Sequence, residues 1–374
     1  MTEREAYIVL NMMEDIGPVR VRALMDVLGS AAAIHEAGLE DLIRANGVGR
    51  ELARRILEQR EEKNPAEELA RAEKLGARVI TPLDEDYPEP LKTIHDPPLA
   101  LYVWGTLEPK DRHAIALVGT RRCSHYGKMV ADRLAYQLAQ TGFAVISGLA
   151  RGIDWAAHEG ALKGGGRTVA VLGSALDRMY PPESQALAER IADQGAVISE
   201  FPLGTAPGRT TFPMRNRIVS GLSMGVVVVE AAHKSGALIT AHEALEQGRA
   251  VFAVPGRIDS QASRGPHQLI KTGARIVEDV DDILQEFEYL FPSERSRVDA
   301  LKPRPEVQLG GEEQAVVQAL WEGPVNVDAL SRASSLSSAR LSSLLLALEM
   351  KRVVRMLPGR MVELIVEWKK GQNV

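Results

Sequence analysis

The fold class this sequence predicts is α/β: a doubly wound, mostly parallel sheet, with a smaller helical domain in front and another behind. Three observations predict it. From about residue 65 onward, short apolar runs alternate with helical stretches. Those runs are β-branched and lack apolar–polar alternation, as suits strands buried on both faces. At 374 residues the chain also exceeds the usual single-domain size, so two or three domains are expected.

Residues 1–62 read as short helices of a helix-hairpin-helix, SAM-like kind. Ile16-Gly17-Pro18-Val19 precedes one helix, and Gly47-Val48-Gly49 precedes another over Arg50 to Gln59. A glycine-rich turn of this type lets helix N-terminal amides face a phosphate. The other reading, two capped helix starts in a small packing domain, stands beside it, since the first turn lacks the second glycine.

The central domain is read as 63–290. Its strand candidates are Val79–Ile80, Ala100–Trp104, Ala114–Val118, Ala144–Ile146, Val169–Leu172, Val197–Ile198, Val226–Val229 and Val251–Val254. Helices are expected at Lys128–Gln140, Trp155–Lys163, Gln185–Gln194, Arg215–Leu222 and Leu238–Gln247. Strand–helix alternation on this scale is the pattern of a Rossmann-like sheet. Residues 291–311 are polar and proline-bearing and read as a linker. In 312–374, Ala315–Trp321, Val327–Arg332 and Ser338–Met350 read as helices, and Val353–Met356 and Met361–Ile365 flank a turn. Three helices and a hairpin suggest a winged helix, with Leu344, Leu345, Leu346 and Leu348 as core. Arg340 has few basic neighbours, which favours protein interaction over DNA recognition for this domain.

Composition is that of an ordinary globular protein, 45% hydrophobic and 25% charged, with a net charge of −5. Any nucleic-acid binding must therefore come from a local basic patch. Cys123 is the only cysteine, which excludes an intrachain disulfide and a thiolate zinc site. No apolar run approaches the ~20 residues a membrane span needs, and the acidic start lacks a signal-peptide pattern. A cytoplasmic protein is expected, with no membrane partner.

Ligands of open parallel sheets bind beyond the carboxyl ends of the strands, where strand order reverses. The loop after Ala114–Val118 reads Gly119-Thr120-Arg121-Arg122, and no acidic residue lies between Asp111 and Asp132. Glycine permits close approach, the following amides can bond a phosphate, and the arginines supply charge with a planar fork. The next loop carries Ser147, Gly148, Arg151 and Asp154, where a ligand role and a structural one, such as capping the helix near Trp155, are both open. His158 reads as a packing residue. Arg215-Asn216-Arg217 lies in a stretch free of Asp and Glu from Phe201 to Val229. Residues 215 and 217 cannot face the same way from a helix, so one reaches phosphate while the other packs or pairs. Lys234, Ser235 and Gly236 form a third anion-friendly helix start.

Enzyme signatures fail on inspection. Gly221-Leu222-Ser223-Met224-Gly225 fits G-x-S-x-G, but a helix precedes it and a strand follows, the reverse of a hydrolase elbow. There is no P-loop, no dinucleotide G-x-G-x-x-G after the first core strand and no histidine metal set. No catalytic residue, metal or cofactor is expected.

Taken in order, VGTRR at 118–122, SGLARGID at 147–154, ISEFPLG at 198–204, FPMRNRIVSGLS at 212–223, VVVVEAAHKSGALITA at 226–241 and VFAVPG at 251–256 resemble the DprA (DNA-processing protein A, Smf-like) family over most of the chain. Two loops depart from the family pattern: Gly265-Pro266-His267, and Pro182-Glu183 after Tyr180-Pro181. The resemblance implies a homodimer that binds single-stranded DNA and loads RecA recombinase on it in natural transformation. It implies phosphate contacts from Gly119 and Arg121, with Arg215 or a neighbour across the pocket. Leu269, Ile270 and Leu284, with Ile283 and Phe287 nearby, are the candidate dimer residues, some of which must be core. With aromatics at 5%, backbone contacts are expected to dominate binding. The rivals are an adaptor module and a phosphoribohydrolase-like nucleotide enzyme. The latter carries P-G-G-x-G-T-x-x-E, whereas the corresponding turn here reads EAAHKSGALITA.

Overall fold

A computed structural model describes residues 1–287, 310–320, 325–334, 336–350, 353–357 and 361–364. The chain divides into two compact units, Met1–Glu288 and Tyr289–Val374.

The first unit opens with five helices: α1 (Glu3–Met12), α2 (Pro18–Leu28), α3 (Ala31–Glu36), α4 (Leu39–Leu42) and α5 (Arg50–Glu62). Gly17 and Gly49 are the residues that precede α2 and α5, each without a side-chain cap. These helices close on a core of their own that includes Leu10, Leu24, Ile34 and Ile56. Then α6 (Pro65–Lys74) starts on the Asn64 cap with Pro65 in its first position, a combination that fixes a helix start.

A nine-stranded sheet follows. Its strands are β1 (Ala77–Ile80), β2 (Leu101–Gly105) after the short α7 (Glu89–Lys92), β3 (Ala114–Val118), β4 (Ala144–Ser147), β5 (Thr168–Val171), β6 (Ala196–Ser199), β7 (Gly225–Val228), β8 (Ala250–Ala253) and β9 (Arg275–Ile276). The connecting helices are α8 (His125–Gln140), α9 (Ile153–Lys163), α10 (Gln185–Gln194), α11 (Thr211–Gly221), α12 (Gly236–Glu246), α13 (Arg264–Lys271) and α14 (Val280–Glu286). Strand order is β1-β2-β6-β5-β4-β3-β7-β8-β9. From β6 to β9 every pairing is parallel, while β1 and β2 pair antiparallel at one edge. β3 to β7 are buried along their whole length, which is why these runs show no alternation.

The chain therefore winds outward from β3 through β4, β5 and β6, then returns to lay β7 on the other side of β3. The reversal point lies between β3 and β7. All eight predicted strands are present. β9, two exposed residues long, was not expected.

In the second unit helices Gly311–Ala319, Val327–Ser334 and Ser338–Met350 precede strands Val354–Leu357 and Met361–Leu364. Val325–Asn326 adds a third short strand beside the last, which completes a winged-helix arrangement. Leu344, Leu345 and Leu348 are buried, but Leu346 is 61% exposed, contrary to expectation. Three consecutive positions of a helix span too wide an arc to share one buried stripe. The expected linker 291–311 lies outside the described residues except for its last two.

Candidate nucleic-acid interface

At the reversal point the carboxyl ends of β3, β4 and β7 open into a cleft of about 350 Å³, lined by Gly119, Thr120, Arg121, Arg122, Gly148, Phe212, Arg215, Asn216, Ser235 and Gly236 among others. This is where an open α/β sheet holds a ligand. Four separate stretches of sequence converge there: the loops after β3, β4 and β7, and α11.

The first wall is the Gly119–Ser124 loop. Its Arg121 is exposed, and the guanidinium carbon stands 4.8 Å from the centre of the Phe212 ring. A cation over an aromatic face is attracted by the ring quadrupole and spreads a flat surface beside the cleft. The Tyr180 ring extends it, 5.9 Å from Phe212 centre to centre. Sequence reasoning missed both aromatics as site residues. Phe212 lay inside a quoted motif, but only the fold brings it against Arg121.

Three amides of this loop are bonded within the chain. Thr120 N donates to Glu230 O at 2.7 Å, Arg122 N to Thr120 Oγ1 at 3.2 Å, and Ser124 N to the Glu230 carboxylate at 2.9 Å. Those three donors serve the protein itself.

The second wall is the turn after β4. Gly148 has no room for a side chain, because a Cβ there would collide with the Arg215 guanidinium. Gly152, at φ +85°, turns the chain into α9, and its Cβ would strike Thr120 O. Asp154 does not cap α9. It lies within the first helical turn and accepts from Gly148 N at 3.2 Å and Ala150 N at 3.3 Å. Burial pushes its carboxyl above the usual range, against the pull of Arg215 and the two amides. Ser147 is fully buried and donates to Leu117 O at 2.6 Å, so it fastens β4 to β3 rather than lining the cleft. His158 is 0% exposed, with Nδ1 2.7 Å from Thr168 Oγ1, and burial with the Arg215 charge holds its pKa down at about 3. It packs, as read.

α11 supplies the third wall and settles which arginine faces which way. Arg217 points away from the cleft. Its guanidinium donates to both Glu200 oxygens at 2.7 Å, and its Nε pairs with Asp96 at 2.7 Å. Burial opposes its charge, but Glu200 and then Asp96 outweigh that and raise its pKa above the usual arginine value. As a DNA contact it does not fit, because it is 5% exposed and held by Glu200 and Asp96.

Arg215 does line the cleft, yet only 5% of it is exposed. Nη1 donates to Gly148 O at 2.7 Å and to Val171 O, and Nε to Asn216 Oδ1 at 3.3 Å. Burial lowers its pKa to about 10 despite Asp154, with Arg121 contributing further. It is a buried positive charge under the cleft floor. Asn216 Nδ2 reaches Gly236 O at 3.4 Å and ties this helix to α12.

The fourth wall is the start of α12. Ser235 caps it, accepting from Ala237 N at 3.3 Å, and Ser235 and Gly236 both border the cleft. Lys234 is exposed beside them without lining it.

Of the candidate dimer residues, Leu269, Ile270 and Leu284 are half-buried, Leu269 in part against the sheet core. Ile283 and Phe287 are core, the Phe287 ring packing on Phe143 and Phe252. In the departing loop, His267 Nε2 lies 3.0 Å from Gly256 O, so the histidine closes that turn. Among the described residues, no group of three or more His, Cys, Asp or Glu could hold a metal ion, and no helix is long and apolar enough to cross a membrane.

The family model of DNA recombination-mediator protein A matches residues 78–288, that of the DprA winged helix domain residues 300–360, and that of the SAM-like helix-hairpin-helix tandem residues 8–62. Protein Smf of Synechocystis is 37% identical over 290 residues, 76% of this chain and 72% of that protein. The DNA processing protein DprA of Bacillus subtilis is 44% identical over 220 residues, 58% of this chain and 74% of its own length. Among solved structures, DNA processing protein A from Streptococcus pneumoniae superposes with a TM-score of 0.68 at 34% identity, covering 77% of this chain and 99% of that one. The Helicobacter pylori protein, whose structure is described for its single-stranded DNA binding mode, gives 0.52 at 29% identity, covering 57% and 96%. With its core motifs, sheet order and flanking domains all in that pattern, the chain belongs to the DNA recombination-mediator protein A (DprA) family.

Proposed function

We propose that this protein binds single-stranded DNA in the cleft between β3 and β7, as a homodimer, and delivers that strand to RecA recombinase during natural transformation. The observation that carries the reading is Arg121 held over Phe212 at the cleft mouth. A guanidinium and a ring in contact can take a phosphate and a base of one nucleotide together, and stacking accepts any base because every base has a π-face. Arg215 below the floor and the α12 start opposite give the cleft a positive field in a chain of net charge −5. The Helicobacter pylori relative supports the choice of ligand, and the family's description as a recombination mediator supports the choice of partner.

The activity is binding without catalysis. The carboxylate and imidazole nearest the floor, Asp154 and His158, are buried and engaged by backbone amides and by Thr168, which suits neither to moving a substrate proton. The test is fluorescence anisotropy with a labelled oligothymidylate across a salt titration, paired with a nucleoside monophosphate hydrolysis assay and with RecA filament nucleation on the same strand. Salt-dependent binding, no hydrolysis and faster nucleation support the reading. Hydrolysis of the N-glycosidic bond would replace it with the nucleotide-enzyme alternative, and salt-insensitive or absent DNA binding with the adaptor.

A further inference from the structure

The Gly119–Ser124 loop is tied down at both ends by one residue that lies outside the cleft. Glu230 stands two residues beyond β7 and is only 4% exposed. Its carbonyl accepts from Thr120 N at 2.7 Å, at the start of the loop. Its carboxylate accepts from Ser124 N at 2.9 Å and from Ser124 Oγ at 2.5 Å, at the end. A third tie comes from α9, where Ile153 N donates to Thr120 O at 3.3 Å. Two glycines make room for this fastening. A Cβ at Gly127 would collide with the Glu230 carboxylate, and one at Gly119 with its carbonyl and with Ile153. Between the pinned ends lie residues 121–123, and Arg121 and Arg122 among them are exposed. A carboxylate is costly to bury, and the bonds to Ser124 are what hold this one in place.

Resting on the reading of the cleft as a DNA site, we propose that Glu230 is the positioning residue for Arg121. It touches no ligand and acts through the loop. With both ends held, Arg121 stands over Phe212 before any strand arrives, so binding does not have to order it. Charge alone argues for the opposite effect. A carboxylate near a site for a polyanion repels the strand, and its removal would then tighten binding. The two roles give opposite signs to the same substitution.

The experiment measures the affinity of the full chain for a labelled oligothymidylate, with folding checked by circular dichroism. The variants are Glu230→Ala, Glu230→Gln, Arg121→Ala and the double variant of Glu230→Ala with Arg121→Ala. Glu230→Ala frees the end of the loop and is expected to weaken binding on the order of tenfold, as the ligand must now order a few residues. Its salt slope should stay at the wild-type value, because the same phosphates are met in the end. In the Arg121→Ala background the same change should cost far less, since no arginine is left to place. Glu230→Gln can keep both ties to Ser124, one as acceptor and one as donor, and should recover most of the affinity. Unchanged or tighter binding by folded Glu230→Ala, or an equal loss in both backgrounds, overturns this inference alone. Absent oligonucleotide binding by wild-type protein overturns the DNA reading instead. If Glu230→Ala does not fold, Ser124→Ala decides: it cuts the hydroxyl tie, leaves the Glu230 charge, and should lose affinity only where Arg121 is present. A folded Ser124→Ala that binds as wild type overturns the inference as well.

Discussion

Arg215 and Arg217 stand two residues apart on α11 with the same slight exposure, yet only Arg215 borders the cleft, and Arg217 is paired with Glu200 and Asp96. Arg217→Ala leaves the buried Glu200 carboxylate without its partner, which costs about 3–5 kcal/mol of stability. A chemical melt should show that loss. Arg121→Ala removes an exposed side chain, so stability stays within about 0.5 kcal/mol of wild type. It should weaken oligonucleotide binding severely and flatten the salt dependence by about one unit of slope. An unaltered slope would exclude Arg121 from phosphate contact. Phe212→Ala should lose about 1–3 kcal/mol of binding with no change in slope, because stacking releases no counterion. What the sequence could say at this scale was limited. Alternate facing of 215 and 217 follows from helix geometry, but their assignment depended on Glu200 and Asp96, which only the folded sheet brings to α11.

At the scale of elements, the core strands were legible because each is a β-branched run buried on both faces. β9 was invisible for the opposite reason: Arg275 and Ile276 are both exposed and too few to form a pattern. That short strand leaves the sheet with an edge beyond β8, bordered by exposed Leu245 and Ile276 and half-buried Leu269. An apolar margin beside an unpaired edge is a surface that a second copy can cover. Ile270→Arg and Ile276→Arg should each shift the protein to monomer by light scattering. Short-oligonucleotide affinity should be unchanged, and tight binding to long strands lost with the second site. Persistent dimers in both variants would move the interface elsewhere.

Over the whole molecule, the packed α9 gives stability a pH dependence. His158 ionises near 6.5 when unfolded but only at about 3 when folded, so below pH 6.5 the unfolded chain takes up a proton that the native one refuses. Its contribution is complete above pH 6.5 and falls by about 1.4 kcal/mol per unit toward pH 3. Asp154, with its carboxyl raised, works in the opposite sense, adding stability as pH falls through its folded value. Comparing melts of wild type and His158→Gln between pH 7 and 4.5 isolates the histidine, and the variant should lack its share of the slope. The two units carry separate cores, and a shorter chain buries a smaller fraction of its surface on folding. Calorimetry should therefore resolve two transitions, with the winged helix melting first.

The front helices are fastened to the sheet by bonds that lead to the cleft. Asn11 of α1 donates to Glu200 O at 3.0 Å, and the Glu200 carboxylate grips Arg217. Arg217 lies on the same helix as Arg215 and Phe212. On a second line, the buried Glu68 of α6 accepts from Tyr102 OH and from Leu203 N, both at 2.8 Å. Of the two lines, the one through Asn11 ends on the helix that walls the cleft, and the one through Glu68 ends on β2 and on the loop after β6. Strain on the front helices is therefore carried into the sheet along two lines, and Asn11→Ala cuts only the one that ends on α11.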